Sequence, residues 1–185
     1  LETNSQTAEL IKLTENAYRD VNIAFANEMS IICDELDVDV FELIKLANRH
    51  PRVDILKPGC GVGGHCISID PWFIASHLPY QTLLIQTSRN VNNKKTEWSI
   101  SKILKSIKDF EKDNYNFPKV GFLGLTFKPD IDDIRESPAI RIVNYFSNNY
   151  SKILISDPYV DYLKGLDLIS YKDLIKESDI IVILV

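Results

Sequence analysis

The sequence predicts an α/β protein, in which an all-helical first domain is followed by a partial Rossmann-like parallel sheet. Two observations carry the helical part: residues 8–36 and 83–110 contain neither Gly nor Pro, and their apolar residues recur at helical spacing. A third carries the sheet. After residue 117, short apolar runs alternate with helical segments, the grammar of parallel pairing.

In residues 8–36, Leu10, Leu13, Ala17, Val21, Ala24, Phe25, Ile32 and Leu36 mark one long helix with an apolar face. Residues 40–47 form a second, with Asp39 as a cap. Residues 50–71 hold four glycines and three prolines and form a long loop, and uncovered loops of that length usually carry function. Pro71 opens a short helix to about residue 78. The segment 83–110 shows a loose apolar face through Ile85, Val91, Trp98, Ile100, Ile103, Leu104 and Ile107. The polar run 111–116 marks a boundary, dividing a helical domain at 1–112 from an α/β domain at 117–185. There, 119–125 and 152–157 read as strands, Ser137 and Pro138 open a helix, 172–177 is a short helix, and 179–185 is a buried strand.

A net charge of −5, with both signs mixed along the chain, lacks the basic stripe of a nucleic-acid binder. Three cysteines cannot all pair and fit a reducing compartment. No stretch approaches the roughly 20 apolar residues of a membrane span, and the first residues lack the pattern of a signal peptide. The expectation is a cytoplasmic protein without nucleic-acid or membrane partners. The chain opens almost directly in a helix and ends in an apolar run, so it reads as a fragment.

Three segments carry chemistry. In PGCGVGGHCISIDP (58–71), Gly59, Gly61, Gly63 and Gly64 allow positive φ and close approach of backbone to a ligand, and can aim N–H groups at a phosphate or an oxyanion. Cys66 stands just before a helix start, a setting that suits a nucleophilic thiolate. Asp70 could position a water or exchange protons with the reacting carbon. A Gly-rich loop with one Cys can equally be structural. Zinc on Cys60, His65 and Cys66 lacks the usual ligand spacing, and no metal is expected. In AELIKLTEN (8–16), Lys12 and Asn16 are i and i+4 and share one helix face. They are either oxyanion and proton-transfer groups or two solvated side chains. In GFLGLTFKPDIDDIRESP (121–138), Gly121 and Gly124 follow a strand without completing G-x-G-x-x-G. Lys128 and Arg135 lie where open α/β sheets bind ligands, and either hold a phosphate or carboxylate or pair with Asp130, Asp132, Asp133 and Glu136.

Together and in this order, AELIKLTENAYRDVNIAFANE, the GGHC loop and GLTFKPDIDDIRESPA resemble the UDP-glucose/GDP-mannose dehydrogenase family over essentially the whole chain. The form of the cysteine loop, with NRHPRVDIL before it, is most similar to the branch acting on UDP-N-acetyl-D-mannosamine. The rivals are UDP-N-acetylglucosamine and UDP-glucose 6-dehydrogenases, or a dimerisation and nucleotide-binding module without catalysis. The resemblance implies oxidation of C6 of a UDP-sugar to a carboxylate, with two NAD⁺ reduced in turn. Cys66 is then the nucleophile that captures the aldehyde as a thiohemiacetal and carries the thioester, and Lys12 stabilises the oxyanions. Asn16 and Asp70 place a water and assist proton movement. Lys57 and the loop through Gly59, Gly61, Gly63 and Gly64 wrap the UDP-sugar, and Lys128 contacts it. Arg135 reaches towards NAD, and Arg49 or Arg52 is donated to a partner subunit's site. The resemblance further implies that 1–112 is the central domain, dimerising through its long helices. It makes 117–185 a UDP-binding domain that is incomplete here, and leaves the N-terminal NAD-binding domain outside the chain. Ile69 stands where some relatives carry Lys, which puts one cofactor contact in doubt.

Overall fold

The computed structural model describes residues 2–185. They form two compact units, one reaching to Lys95 and the other running from Thr96 to Val185.

The first unit is helical. Helix α1 (Ser5–Glu35) is one uninterrupted rod, as the absence of Gly and Pro requires, and Asn4 caps it by accepting a hydrogen bond from the Thr7 N–H at 2.8 Å. Helix α2 (Val40–Ala47) is capped by Asp39, whose carboxylate accepts from the N–H groups of Phe41 and Glu42. Helix α3 (Asp70–His77) carries Pro71 in its first turn, where a missing N–H costs nothing. Helix α4 (Leu83–Asn114) begins in this unit and continues into the second. It runs through most of the polar stretch expected to end it, because Glu, Lys and Asp are tolerated on an exposed helix end. It stops where Tyr115 takes a left-handed φ of 54°. The compact units thus divide midway along α4, while the polar run lies at its end.

The side of α1 that faces this unit's interior is not its large apolar residues. Leu10, Phe25, Ile32 and Leu36 are exposed, whereas Asn16, Asp20, Asn27 and Ser30 are buried with the small residues Ala17, Ala24, Ala26 and Cys33. On α4, likewise, Ser88, Arg89, Asn92 and Lys95 are buried. That explains the looseness of its apolar face in the sequence.

The second unit holds strands β1 (Val120–Leu123), β2 (Ile153–Ser156) and β3 (Ile180–Ile183), with α5 (Pro138–Asn149) and α6 (Tyr171–Glu177) between them. The order is β2-β1-β3 and both pairings are parallel, with Val120 opposite Ile153 and Ile180. Ser137 caps α5 by accepting from the Ile140 N–H. Phe122, Leu125, Ile142, Val143, Phe146, Ile155 and Leu174 are fully buried, with the Phe122 and Phe146 rings 5.3 Å apart. Strand β3 is less buried than its apolar run suggests: Ile181 and Ile183 are exposed. It is an edge strand among the described residues, and period-two alternation turns those two side chains to one face.

Candidate active site

The cysteine loop is held at both ends. Upstream, the Asn48 side chain both donates to the Ile55 carbonyl and accepts from the Ile55 N–H, pinning the turn that carries Arg49 and Arg52. Within the loop, Gly61 and Gly64 take φ values of 146° and 84°, which L side chains rarely adopt, so the path to the cysteine depends on glycine there. The Ser68 hydroxyl donates to the Gly64 carbonyl. The Cys66 carbonyl accepts from the N–H groups of Ile69 and Asp70, at 3.0 and 2.8 Å, so Cys66 heads the helical turn that enters α3. Its side chain remains partly exposed.

That turn delivers Asp70 to α1. The Asn16 carboxamide donates to the Asp70 carboxylate at 2.5 Å, and Asn16 is buried. A carboxylate held by a buried amide has a fixed direction, which suits a group that must orient a water or move a proton. Lys12 lies one turn before Asn16 on α1, exposed and 3.7 Å from Glu15. The first unit therefore joins Asn16 directly to Asp70 and ties Asp70 to Cys66 through backbone. Lys12 shares the helix face of Asn16 and, of the two settings open for it, takes the solvated one beside Glu15.

The two loop cysteines differ. Burial pushes the Cys60 thiol up to about 11 against the weaker opposing pull of Lys95, so at neutral pH it is a protonated, inert thiol. The three cysteines form no disulfide.

The residues expected to bind ligand are more dispersed. Lys57, Arg49 and Arg52 are exposed, and Gly63 and Gly64 are buried. The Gly59 N–H donates to the Asn27 side-chain oxygen at 2.9 Å. In the second unit Lys128 is exposed, its ammonium 5.9 Å from the Phe127 ring centre. The Arg135 guanidinium is engaged by Asp133, with contacts of 2.6, 3.0 and 3.1 Å. Of the two readings open for Arg135, the local ion pair is the one formed.

A crevice of about 560 Å³ opens at the carboxyl ends of the strands, between Leu123, Gly124, Ser156, Asp157, Tyr159 and Val185. Open parallel sheets take ligands at this end. It is not a dinucleotide cradle. The carboxylate at the end of β2, which in such a cradle would grip a ribose, is spent on the N–H groups of Leu125, Tyr159 and Val160. The first strand turn also lacks G-x-G-x-x-G. The described residues do not fit NAD by themselves.

Sequence reading missed a buried polar cluster beside the loop. Asp20 accepts from Arg89 at 2.6 Å and from Asn92 at 2.7 Å, Asn27 donates to Asn92, and Lys95 donates to Ser30. Burial raises the Asp20 carboxyl above its usual range despite the Arg89 guanidinium beside it. The signal was there as polar residues at helical spacing on α1 and α4, but their partners stand 65 to 72 residues apart.

Among the described residues no helix is long and apolar enough to cross a membrane, and no group of three or more His, Cys, Asp or Glu could hold a metal ion. Comparison with known proteins agrees with the motifs. Residues 6–94 match the central domain of the UDP-glucose/GDP-mannose dehydrogenase family, and 121–185 match its UDP binding domain. The chain is 52% identical to the UDP-N-acetyl-D-mannosamine dehydrogenase of Campylobacter jejuni, covering 99% of this chain and 46% of that protein. It is 47% identical to an NDP-N-acetyl-D-galactosaminuronic acid dehydrogenase of Ralstonia solanacearum, over 99% of this chain and 43% of that one. The solved UDP-N-acetyl-mannosamine dehydrogenase of Staphylococcus aureus superposes with a TM-score of 0.86 at 41% identity, covering 100% of this chain and 43% of its own. The chain thus spans less than half the length of these relatives. It belongs to the UDP-glucose/GDP-mannose dehydrogenase family.

Proposed function

We propose that this chain supplies the catalytic cysteine and the nucleotide-sugar-binding part of an NAD-dependent nucleotide-sugar 6-dehydrogenase. The observation that carries the reading is the 2.5 Å bond from Asn16 to Asp70, made on the helical turn headed by Cys66. In this mechanism the Cys66 sulfur adds to the C6 aldehyde, forming an S–C bond. The carbonyl electron pair moves onto oxygen, where the Lys12 ammonium stabilises it. The oxidation that turns this adduct into a thioester is the chemistry of the nicotinamide cofactor, for which the described residues build no cradle. Asp70, aimed by Asn16, then takes a proton from water as it attacks the thioester, and the Cys66 thiolate leaves. A thiol is needed because the aldehyde must stay bound between two oxidations.

The substrate we infer is UDP-N-acetylmannosamine, on the form of the cysteine loop and on the 52% identity to the Campylobacter jejuni enzyme. UDP-N-acetylglucosamine and UDP-glucose are the competing sugars. The GGHC loop and Lys57 would wrap a sugar nucleotide in the first unit, and Lys128 is the sugar-nucleotide contact proposed for the second. Arg135 would serve NAD only by leaving Asp133. In this reading residues 1–112 act as the central dimerising domain and 117–185 as the UDP-binding domain, in the cytoplasm where sugar nucleotides and NAD are found. Dimerisation is supported by α1. Ile11, Tyr18, Phe25 and Ile32 stand seven apart in one exposed line, an apolar seam of the kind that a second copy of the same helix covers. Arg49 or Arg52, both exposed on the turn pinned by Asn48, would reach the partner's site.

The test is NAD⁺ reduction by the intact protein across a panel of UDP-sugars, for the wild type and Cys66→Ala. The expected result is turnover of UDP-N-acetylmannosamine that disappears in the variant. Unchanged turnover in Cys66→Ala would remove the cysteine from the mechanism.

A further inference from the structure

We propose that Asn27 is the positioning residue of the cysteine loop, with its side-chain amide oriented by a buried relay through Asn92 to the Asp20–Arg89 pair. The inference rests on Cys66 being the nucleophile.

Cys66 lies seven positions after Gly59, and three of the six residues between them are glycines. Such backbone loses much conformational freedom on ordering and needs tethers to hold a thiol in place. The tether at its front is the bond from the Gly59 N–H to the Asn27 oxygen, 2.9 Å long.

The direction of that bond is dictated from the far end of the relay. Arg89 donates to one Asp20 carboxylate oxygen at 2.6 Å, so that oxygen is an acceptor. Asn92 must therefore present its NH₂ to it, which it does at 2.7 Å, with a further bond of 3.1 Å to the Asp20 carbonyl. The Asn92 oxygen is thereby turned to Asn27, whose NH₂ donates to it at 2.9 Å. Asn27 is left with only its oxygen to offer, and an amide N–H can only donate. Each carboxamide has one permitted orientation. Asn27 and Asn92 are 0% and 1% exposed, so water cannot replace any member.

The arrangement is costly for a scaffold. The second Asp20 carboxylate oxygen and the Arg89 Nε are buried without a partner, and apolar residues would fill this space at lower cost. What apolar residues could not do is hold the Gly59 N–H from the side opposite the loop.

The test uses the intact protein. In the wild type the Gly59 amide should exchange slowly with deuterium although it lies in no helix or strand. Exchange at the rate of an open loop overturns the proposal even if no variant folds. In Asn27→Ala, amide exchange over 59–66 should rise roughly tenfold while α2 is unchanged. Misplacement of the thiol should lower kcat by about 100-fold. KM should move less than about threefold. Asn92→Ala, which touches no loop atom, should shift both readouts in the same direction and by less. Turnover and loop exchange both within about twofold of wild type in Asn27→Ala overturn the proposal, as does exchange that rises equally in the loop and in α2. Cys66→Ala separates the two levels. Retained turnover there defeats the nucleophile reading, while its Gly59 exchange should stay as in wild type.

Discussion

Removing Arg89 from the buried pair should be among the most damaging single changes available to the first unit. The Arg89 and Asp20 side chains are 3% and 1% exposed and 2.6 Å apart, and Asp20 already carries one unpartnered oxygen. Arg89→Met would leave a carboxylate in a dry site with only the Asn92 amide, an uncompensated charge that costs about 3–5 kcal/mol. The loss should depend on pH. Burial already raises the Asp20 carboxyl above 3.8, and the variant removes the chief influence that lowers it. A raised folded-state value means stability is fully present at pH below the unfolded value and is lost as pH climbs towards the folded one. The penalty should therefore be smaller near pH 4 than near pH 7.5. Urea unfolding followed by Trp72 fluorescence, in a Trp98→Phe background, reads it at both pH values. The double variant Asp20→Leu/Arg89→Met should recover most of the loss, because no lone charge remains. A penalty below about 1 kcal/mol, or one of equal size at both pH values, would refute the assignment of a buried ion pair.

Asn16→Ala should lower kcat about 10- to 100-fold with little change in KM, since Asp70 loses the partner that aims it; steady-state kinetics decide this. Iodoacetamide at pH about 7.5 should label Cys66 and spare Cys60, whose thiol stays protonated to about 11, as peptide mass spectrometry would register. For the same reason the folded state should lose stability as pH rises from 9.0, where an unfolded thiol ionises and the folded one does not. The loss should reach about 2 kcal/mol by pH 11 and vanish in Cys60→Ala, read by urea melts. Phe25→Asp, in the middle of the exposed line on α1, should convert the proposed dimer into monomers by light scattering.

Legibility differed between local and distant features. The limits of α2 could be read because Asp39 caps it and a capping side chain is a local signal. The parallel sheet followed from alternation alone. The cysteine, Asp70 and Asn16 were legible as motifs, but their joining was not, since 54 residues separate the partners. The facing of α1 was not legible, for a physical reason. Its large apolar residues point outward, and its interior face is built from small and polar groups whose partners lie on α4. Periodicity reports that a helix has an apolar stripe, and says nothing of what covers it. Lys12 shows the same limit: its helical register was right, yet within the described unit it is solvated and next to Glu15.

The proposed chemistry stands on Cys66 taking the oxidised sugar covalently. Intact protein incubated with UDP-N-acetylmannosamine and NAD⁺, quenched in acid and digested, should yield a peptide carrying the sugar acyl adduct, with fragmentation placing it on Cys66. An adduct on Cys60, or turnover with no adduct at any cysteine, would contradict the account.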